Sequence, residues 1–263
     1  MKIKVLASGS KGNCSYIETK SARFLIDIGI TYQRLKKELE KINLTIDDID
    51  ALLLTHVHND HTSGLKVLLK HSNFKIYANK EILKELTTEI DNERLEYYQD
   101  CFYLNNKTRI NIIKTSHDSK GSVGFIVNED EDSLVYITDT GYINRKYFSS
   151  LSNKKIYYIE SNHDEKMLMN GPYPYYLKQR ILSDEGHLSN ETTAKYLKKL
   201  IGKDTEYIIL AHLSEHNNNQ ELAYNATIKV IEEIEYKPEV IIAKQDEALE
   251  EIEVLNDKVN LYR

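Results

Sequence analysis

The run Thr55-His56-Val57-His58-Asn59-Asp60-His61 gathers three imidazoles and one carboxylate within six positions. Such groups crowd together cheaply only around a shared positive partner. A divalent cation is that partner, because neutral imidazole nitrogen and carboxylate oxygen are its usual donors. The run holds three of the nine histidines in the chain, a density that argues against a merely solvated polar loop. It follows directly on Ala51-Leu52-Leu53-Leu54. A short apolar run that ends in polar residues reads as a buried strand opening into a loop. The spacing therefore predicts a strand over Ile49 to Leu54 that delivers metal ligands at its end.

The same design recurs downstream. Ile110 to Lys114 alternates and ends in Thr115-Ser116-His117-Asp118, and Leu134 to Ile137 runs into Thr138-Asp139-Thr140-Gly141. Lys155 to Ile159 runs into Glu160-Ser161-Asn162-His163, and Tyr207 to Ala211 ends at His212. Asp139 has two oxygens, enough to bridge two cations. Asp118 orients His117 or ends its strand. Asp27, closing the strand that starts at Arg23, is read first as a turn residue and second as an acceptor for a ligand. His71 and His216 are expected at the surface or beside the site. Ser8-Gly9-Ser10-Lys11-Gly12-Asn13 follows an opening strand and is either a tight turn or an anion-binding loop. In the second reading Ser10, Lys11 and Asn13 bind substrate.

These segments need a scaffold of alternating strands and helices. Helices are expected over Thr31 to Lys41, Gly64 to Lys70 with Ser63 as N-cap, Glu81 to Glu89, Tyr175 to Leu182 and Gln220 to Glu235. Ser189 caps another, placing His187 just before a helix N-terminus. The acidic stretch Asp246 to Asp257 is expected as a solvated edge element or tail.

The composition suits an ordinary globular chain, with 41% apolar and 29% charged residues. At 263 residues it can bury a sizeable core, and residues 1–263 read as one domain. Cys14 and Cys101 cannot make a disulfide framework and are expected reduced. No signal peptide precedes the first strand and no apolar run is long enough for a membrane segment, so a cytoplasmic location is expected. The net charge of −6 argues against a broadly basic nucleic-acid coat. A nuclease stays open, because cations and a local lysine cluster can supply the field that a phosphodiester needs.

The pattern His-x-His-x-Asp-His after an apolar strand resembles the metallo-β-lactamase-fold hydrolases. That resemblance implies an α/β fold, a four-layered αββα sandwich. It implies His56, His58 and His117 on one metal ion and Asp60, His61 and His212 on a second, with Asp139 and a water between them. Zinc, manganese or iron all suit these donors. Gly186-His187-Leu188-Ser189-Asn190-Glu191-Thr192-Thr193-Ala194 is similar to a segment of the RNase Z branch. Carried over, Asp60, Glu160 and His187 are the catalytic groups, with Glu160 orienting His187 as general acid. The alternative leaves His187 as a cap and pairs Glu160 with Lys178 or Arg180.

Together with Ala211-His212-Leu213-Ser214, these motifs resemble the YycJ (VicX, WalJ) family over nearly the whole length. The family implies a metal-dependent phosphodiesterase or exonuclease on DNA, with 5′ ends as one direction of attack. Asp139 and His212 are too close in sequence to house the extra domain of RNase J-type nucleases. His58 stands where flavodiiron proteins carry a carboxylate, which disfavours oxygen chemistry. Two other readings remain: a hydrolase of small thioesters or lactones, and a metal-holding regulatory protein with little turnover. The oligomeric state is not legible.

Overall fold

The computed structural model describes residues 1–86 and 88–254. Two seven-stranded sheets are built almost consecutively along the chain. The first takes β1 (Lys2–Ala7), β2 (Cys14–Glu18), β3 (Arg23–Ile26), β4 (Ala51–Leu53), β5 (Lys75–Ala78) and β6 (Leu95–Tyr97). The second takes β7 (Cys101–Leu104), β8 (Thr108–Lys114), β9 (Val123–Glu129), β10 (Asp132–Ile137), β11 (Ile156–Glu160), β12 (Tyr207–Ala211) and β13 (Glu239–Ile242). β14 (Ile252–Glu253) returns to pair antiparallel with β1. The acidic stretch from Asp246 thus supplies an edge strand, while residues 255–257 lie outside the described residues.

Alternation along the strands builds three apolar layers. Ile3, Phe24, Ile26 and Leu53 face Phe125, Leu134, Tyr136 and Tyr158 between the sheets. The opposite faces of the first sheet, Leu25, Leu52 and Ile76, meet α1 (Tyr32–Glu40), which follows β3, and the short helices after β4 and β5. Val135, Tyr157, Ile159 and Leu210 turn outward to the helices that cover the second sheet. The result is the expected four-layered α/β sandwich. Tyrosines take much of the aromatic volume of a chain without tryptophan. Tyr136 and Tyr158 stack at 4.1 Å in the inner layer, and their hydroxyls pair with Ser15 and Ser8.

Two elements depart from expectation. The His56 to His61 run itself closes a helical turn, α2 (Asn59–Thr62), so Ser63 caps its C-terminal end rather than starting the next helix. The Ser63 hydroxyl donates instead to the Gly29 carbonyl. Gly64 precedes α3 (Leu65–Leu68), and the helix after β5 ends early, as α4 (Lys80–Glu85). Later come α5 (Phe148–Leu151), α6 (Glu165–Asn170), α7 (Tyr175–Ile181), α8 (Asn190–Leu200) and α9 (Gln220–Glu232). Among the described residues no helix is long and apolar enough to cross a membrane.

Candidate active site

Strands β3 to β6 run parallel, as do β10 to β13. Their C-terminal ends therefore collect on one rim, where ligands of open α/β sheets gather. β4 delivers Thr55 and His56, and α2 then presents His58, Asp60 and His61. β8, β10, β11 and β12 run into His117, Asp139, Glu160 and His212. Asp27, Asp139 and His212 leave their strands in the left-handed region, at φ of 59°, 55° and 55°. Non-glycine residues pay about 1–3 kcal/mol for that conformation, which clusters at functional sites.

The seven expected ligands converge. His56, His58 and His117 bring ligand atoms within 4.8 Å of one another, and so do Asp60, His61 and His212. Asp139 stands between the sets. Its Oδ1 is 3.8 Å from His117 Nε2 and 3.6 Å from His212 Nε2, and its Oδ2 is 3.2 Å from His61 Nε2. Buried polar atoms normally find partners. Among the described residues, His56 Nε2 and Asp139 Oδ2 are buried and make no hydrogen bond. Two orphaned atoms inside a nitrogen-and-oxygen donor set fit divalent cations.

The charges divide the donors. Burial pushes the His56 and His117 pKa values down, keeping both imidazoles neutral as ligands must be. Burial opposes charge on His61 as well, but Asp139, Asp27 and Asp60 outweigh it and raise its pKa. Burial also opposes ionisation of Asp60, yet His61 and His212 hold its carboxyl well below the usual carboxylate range.

A further shell of polar contacts fixes the ligands. Asp27, fully buried, accepts from Thr55 N at 2.8 Å, from Thr55 Oγ1 at 2.7 Å and from His61 Nδ1 at 2.7 Å. It is both the turn residue and an acceptor for His61. Asn13 donates to Gly9 O and Asp60 Oδ2. Ser8 Oγ accepts from His212 N at 2.8 Å, and Asn162 donates to His212 O at 2.9 Å.

The opening loop is therefore largely spent on positioning. Gly9 N donates to Asn13 Oδ1, Lys11 N to Gln245 Oε1 and Asn13 N to Asp60 O. Of its three expected substrate-binding residues, Asn13 is buried against Asp60, and Lys11 pairs with Glu215 at the surface. Ser10 lines the site cavity, of about 230 Å³, with His58, Asp60, Asp139, His187 and His212.

Glu160 is fully buried and uses both oxygens. Oε1 accepts from His187 Nδ1 at 2.7 Å and His212 Nδ1 at 3.1 Å. Oε2 accepts from Thr140 N at 3.1 Å and Leu188 N at 3.2 Å. Burial resists its ionisation, but His187 and His212 bring its pKa down to about 2. Burial likewise resists charge on His187, and Glu160 and Asp139 raise its pKa in spite of that. The alternative partners are engaged elsewhere: Lys178 donates to the Met169 and Gly171 carbonyls, and Arg180 to Asp118. Asp118 in turn sits 3.3 Å from His58 Nε2, whereas His117 Nδ1 faces the Glu185 and Gly186 carbonyls. His71 stacks on Tyr32 at 4.4 Å, away from the site.

A profile of the metallo-beta-lactamase superfamily matches residues 7–212. The chain is 37% identical over 229 residues to the exodeoxyribonuclease WalJ of Streptococcus pneumoniae, covering 85% of each chain. It is 33% identical over 237 residues to the exodeoxyribonuclease YycJ of Bacillus anthracis, covering 89% of this chain and 90% of that one. Among solved structures, the metallo-beta-lactamase fold protein YhfI of Bacillus subtilis superposes with a TM-score of 0.71 at 17% identity, over 95% of this chain and 99% of that one.

Proposed function

The chain belongs to the metallo-β-lactamase superfamily, alongside the exodeoxyribonucleases WalJ and YycJ, and from that premise we propose that it is a metal-dependent exodeoxyribonuclease. His56, His58 and His117 would hold one divalent cation and Asp60, His61 and His212 a second, with Asp139 shared; zinc, manganese and iron all suit these donors. Cations bound there supply Lewis acidity toward a phosphoryl oxygen and a nucleophilic water near neutral pH.

The observation that carries the reading is the pair of buried Glu160 and partly exposed His187. Glu160 fixes His187 through Nδ1, which leaves Nε2 for the cavity that His187 lines. Glu160 and Asp139 raise the His187 pKa and so favour the imidazolium, whose Nε2 would carry a proton to the leaving oxygen. An alkoxide leaving from DNA needs that proton; a thiolate largely does not. The cavity of about 230 Å³ is also small beside the roughly 300–1,000 Å³ of small-ligand pockets.

The test is His187→Ala, assayed with manganese on end-labelled DNA. Cleavage should fall roughly 10²–10⁴-fold while bound metal is retained. Full activity on DNA would remove His187 from the chemistry.

A further inference from the structure

An imidazole that holds a cation through one nitrogen has a second nitrogen to place, and the partner of that second nitrogen fixes the ring. His58 Nδ1 and His117 Nε2 face each other at 3.2 Å. As ligands of one cation both must be free of protons, so the ring protons sit on the outer nitrogens, His58 Nε2 and His117 Nδ1. Both outer nitrogens meet oxygens. Asp118 Oδ1 lies 3.3 Å from His58 Nε2. The Glu185 and Gly186 carbonyls lie 3.2 and 3.3 Å from His117 Nδ1. Asp118 Oδ1 is also 3.5 Å from His117 Nε2, yet among the described residues Asp118 belongs to no group of converging donors. Its place is behind His58. Expected as the partner of His117, it serves the neighbouring ligand instead.

Asp118 is held in turn by Arg180. Its Oδ2 accepts from Arg180 Nε at 2.7 Å and pairs with Nη2, which leaves Oδ1 to His58. Arg180 stands on α7, and the end of that helix is tied to the loop that follows. Arg180 O accepts from Ser183 N at 3.2 Å, and Ile181 O accepts from His187 N at 3.0 Å. Gly186 packs so closely on this turn that a Cβ there would lie 2.1 Å from Ile181 O and 2.4 Å from Arg180 O. The stretch from Arg180 to His187 is therefore one tied unit. It carries His187, offers two carbonyls to His117 and reaches His58 through Asp118. Asp60, His61 and His212 take their contacts elsewhere, from Asn13, Asp27 and Glu160. Among the described residues neither Arg180 nor Asp118 makes a hydrogen bond or ion pair with those three ligands.

Arg180 is 56% and Asp118 29% exposed, and an ion pair so open to water contributes little to stability. What it supplies is orientation. We propose that Arg180 is a positioning residue for one of the two cations: through Asp118 it sets the angle of His58, so the stretch that carries His187 also builds the site of His56, His58 and His117. The inference rests on the two-cation reading and goes beyond it in giving the two sites separate supports. The experiment titrates the manganese-loaded full chain with a chelator and counts the metal retained. Asp118→Asn should release one equivalent with roughly 10–100-fold weaker affinity, as loss of a ligand's outer partner does, and leave the other unchanged. Arg180→Ala should loosen that same equivalent roughly tenfold, at the low end of the range. The double variant should be no weaker than Asp118→Asn, because the guanidinium acts through the carboxylate. In His58→Ala, which keeps only the other equivalent, adding Arg180→Ala should change nothing. On bis-p-nitrophenyl phosphate, excess manganese should restore the kcat of Arg180→Ala with KM unmoved. Wild-type retention in Asp118→Asn and Arg180→Ala would overturn the proposal, as would equal loosening of both equivalents or losses that add in the double variant. A raised KM with unchanged metal affinity would overturn it too, and make Arg180 a substrate contact. A wild type that retains a single equivalent would overturn the two-cation reading itself.

Discussion

Glu160→Gln removes one charge and no volume, so its effects can be worked from the four contacts of the carboxylate. The amide oxygen can keep His187 Nδ1 and His212 Nδ1. The amide nitrogen then faces the Thr140 and Leu188 N–H groups, donor against donor, at the present 3.1 and 3.2 Å. Each buried donor left without an acceptor costs about 1–3 kcal/mol, so the variant should lose about 2–6 kcal/mol. In a domain of this size that is a fall in melting temperature of roughly 5–20 °C. The stability Glu160 supplies is present above its ordinary pKa of 4.5 and is lost only as the pH falls toward 2, so the deficit should be full at neutral pH. The catalytic effect is separate. Without the neighbouring carboxylate, burial dominates His187 and its pKa drops, so the protonated acid becomes scarce at neutral pH. In the wild type, DNA cleavage should decline as the pH rises through the raised His187 pKa; in the variant that decline should move to lower pH. Cleavage of end-labelled DNA at neutral pH should fall roughly 10²–10⁴-fold. Hydrolysis of bis-p-nitrophenyl phosphate, whose leaving group is stable as an anion, should fall far less. A variant that melts with the wild type, or loses both activities equally with an unmoved pH profile, would refute the assignment.

Asp27→Asn should weaken metal binding roughly 10–100-fold in competition with a chelator, because it disturbs the acceptor that fixes His61 Nδ1; unchanged affinity would leave Asp27 a turn residue only. Metal loading should release protons. Burial disfavours charge on His212, but Asp139, Asp60 and Glu160 raise its pKa to about 10 in the metal-free chain, so it is protonated at neutral pH and must lose that proton to bind. Apparent metal affinity should therefore climb with pH up to that value. Calorimetry in two buffers of different protonation enthalpy reads the release, and identical heats would contradict it.

What was legible in the sequence depended on whether the signal was local. The His56 to His61 run and the strand-terminal His117, Asp139 and His212 could be read because an apolar strand followed by a donor needs only a few residues to express itself. The layers followed from strand alternation and the resemblance together. The Ser63 cap misled because a serine before a periodic stretch is a cap only if the chain enters it extended, and here the ligand run is already helical. The opening loop with Lys11 and Asn13 stayed open between two readings for a different reason. A glycine-rich loop looks the same whether its amides face an anion or fold back, and the acceptors that claim them, Asp60 O and Gln245 Oε1, arrive from distant parts of the chain.

The same distance in sequence scatters the lysines that line the larger cleft beside His117. Lys80 follows a strand of the first sheet, while Lys114 and Lys120 bracket a strand end in the second, so no basic run marks them. Lys11, which the loop motif brings to notice, is neutralised by Glu215. Arg180, on the basic helix α7, is neutralised by Asp118. The conspicuous cations are therefore the compensated ones.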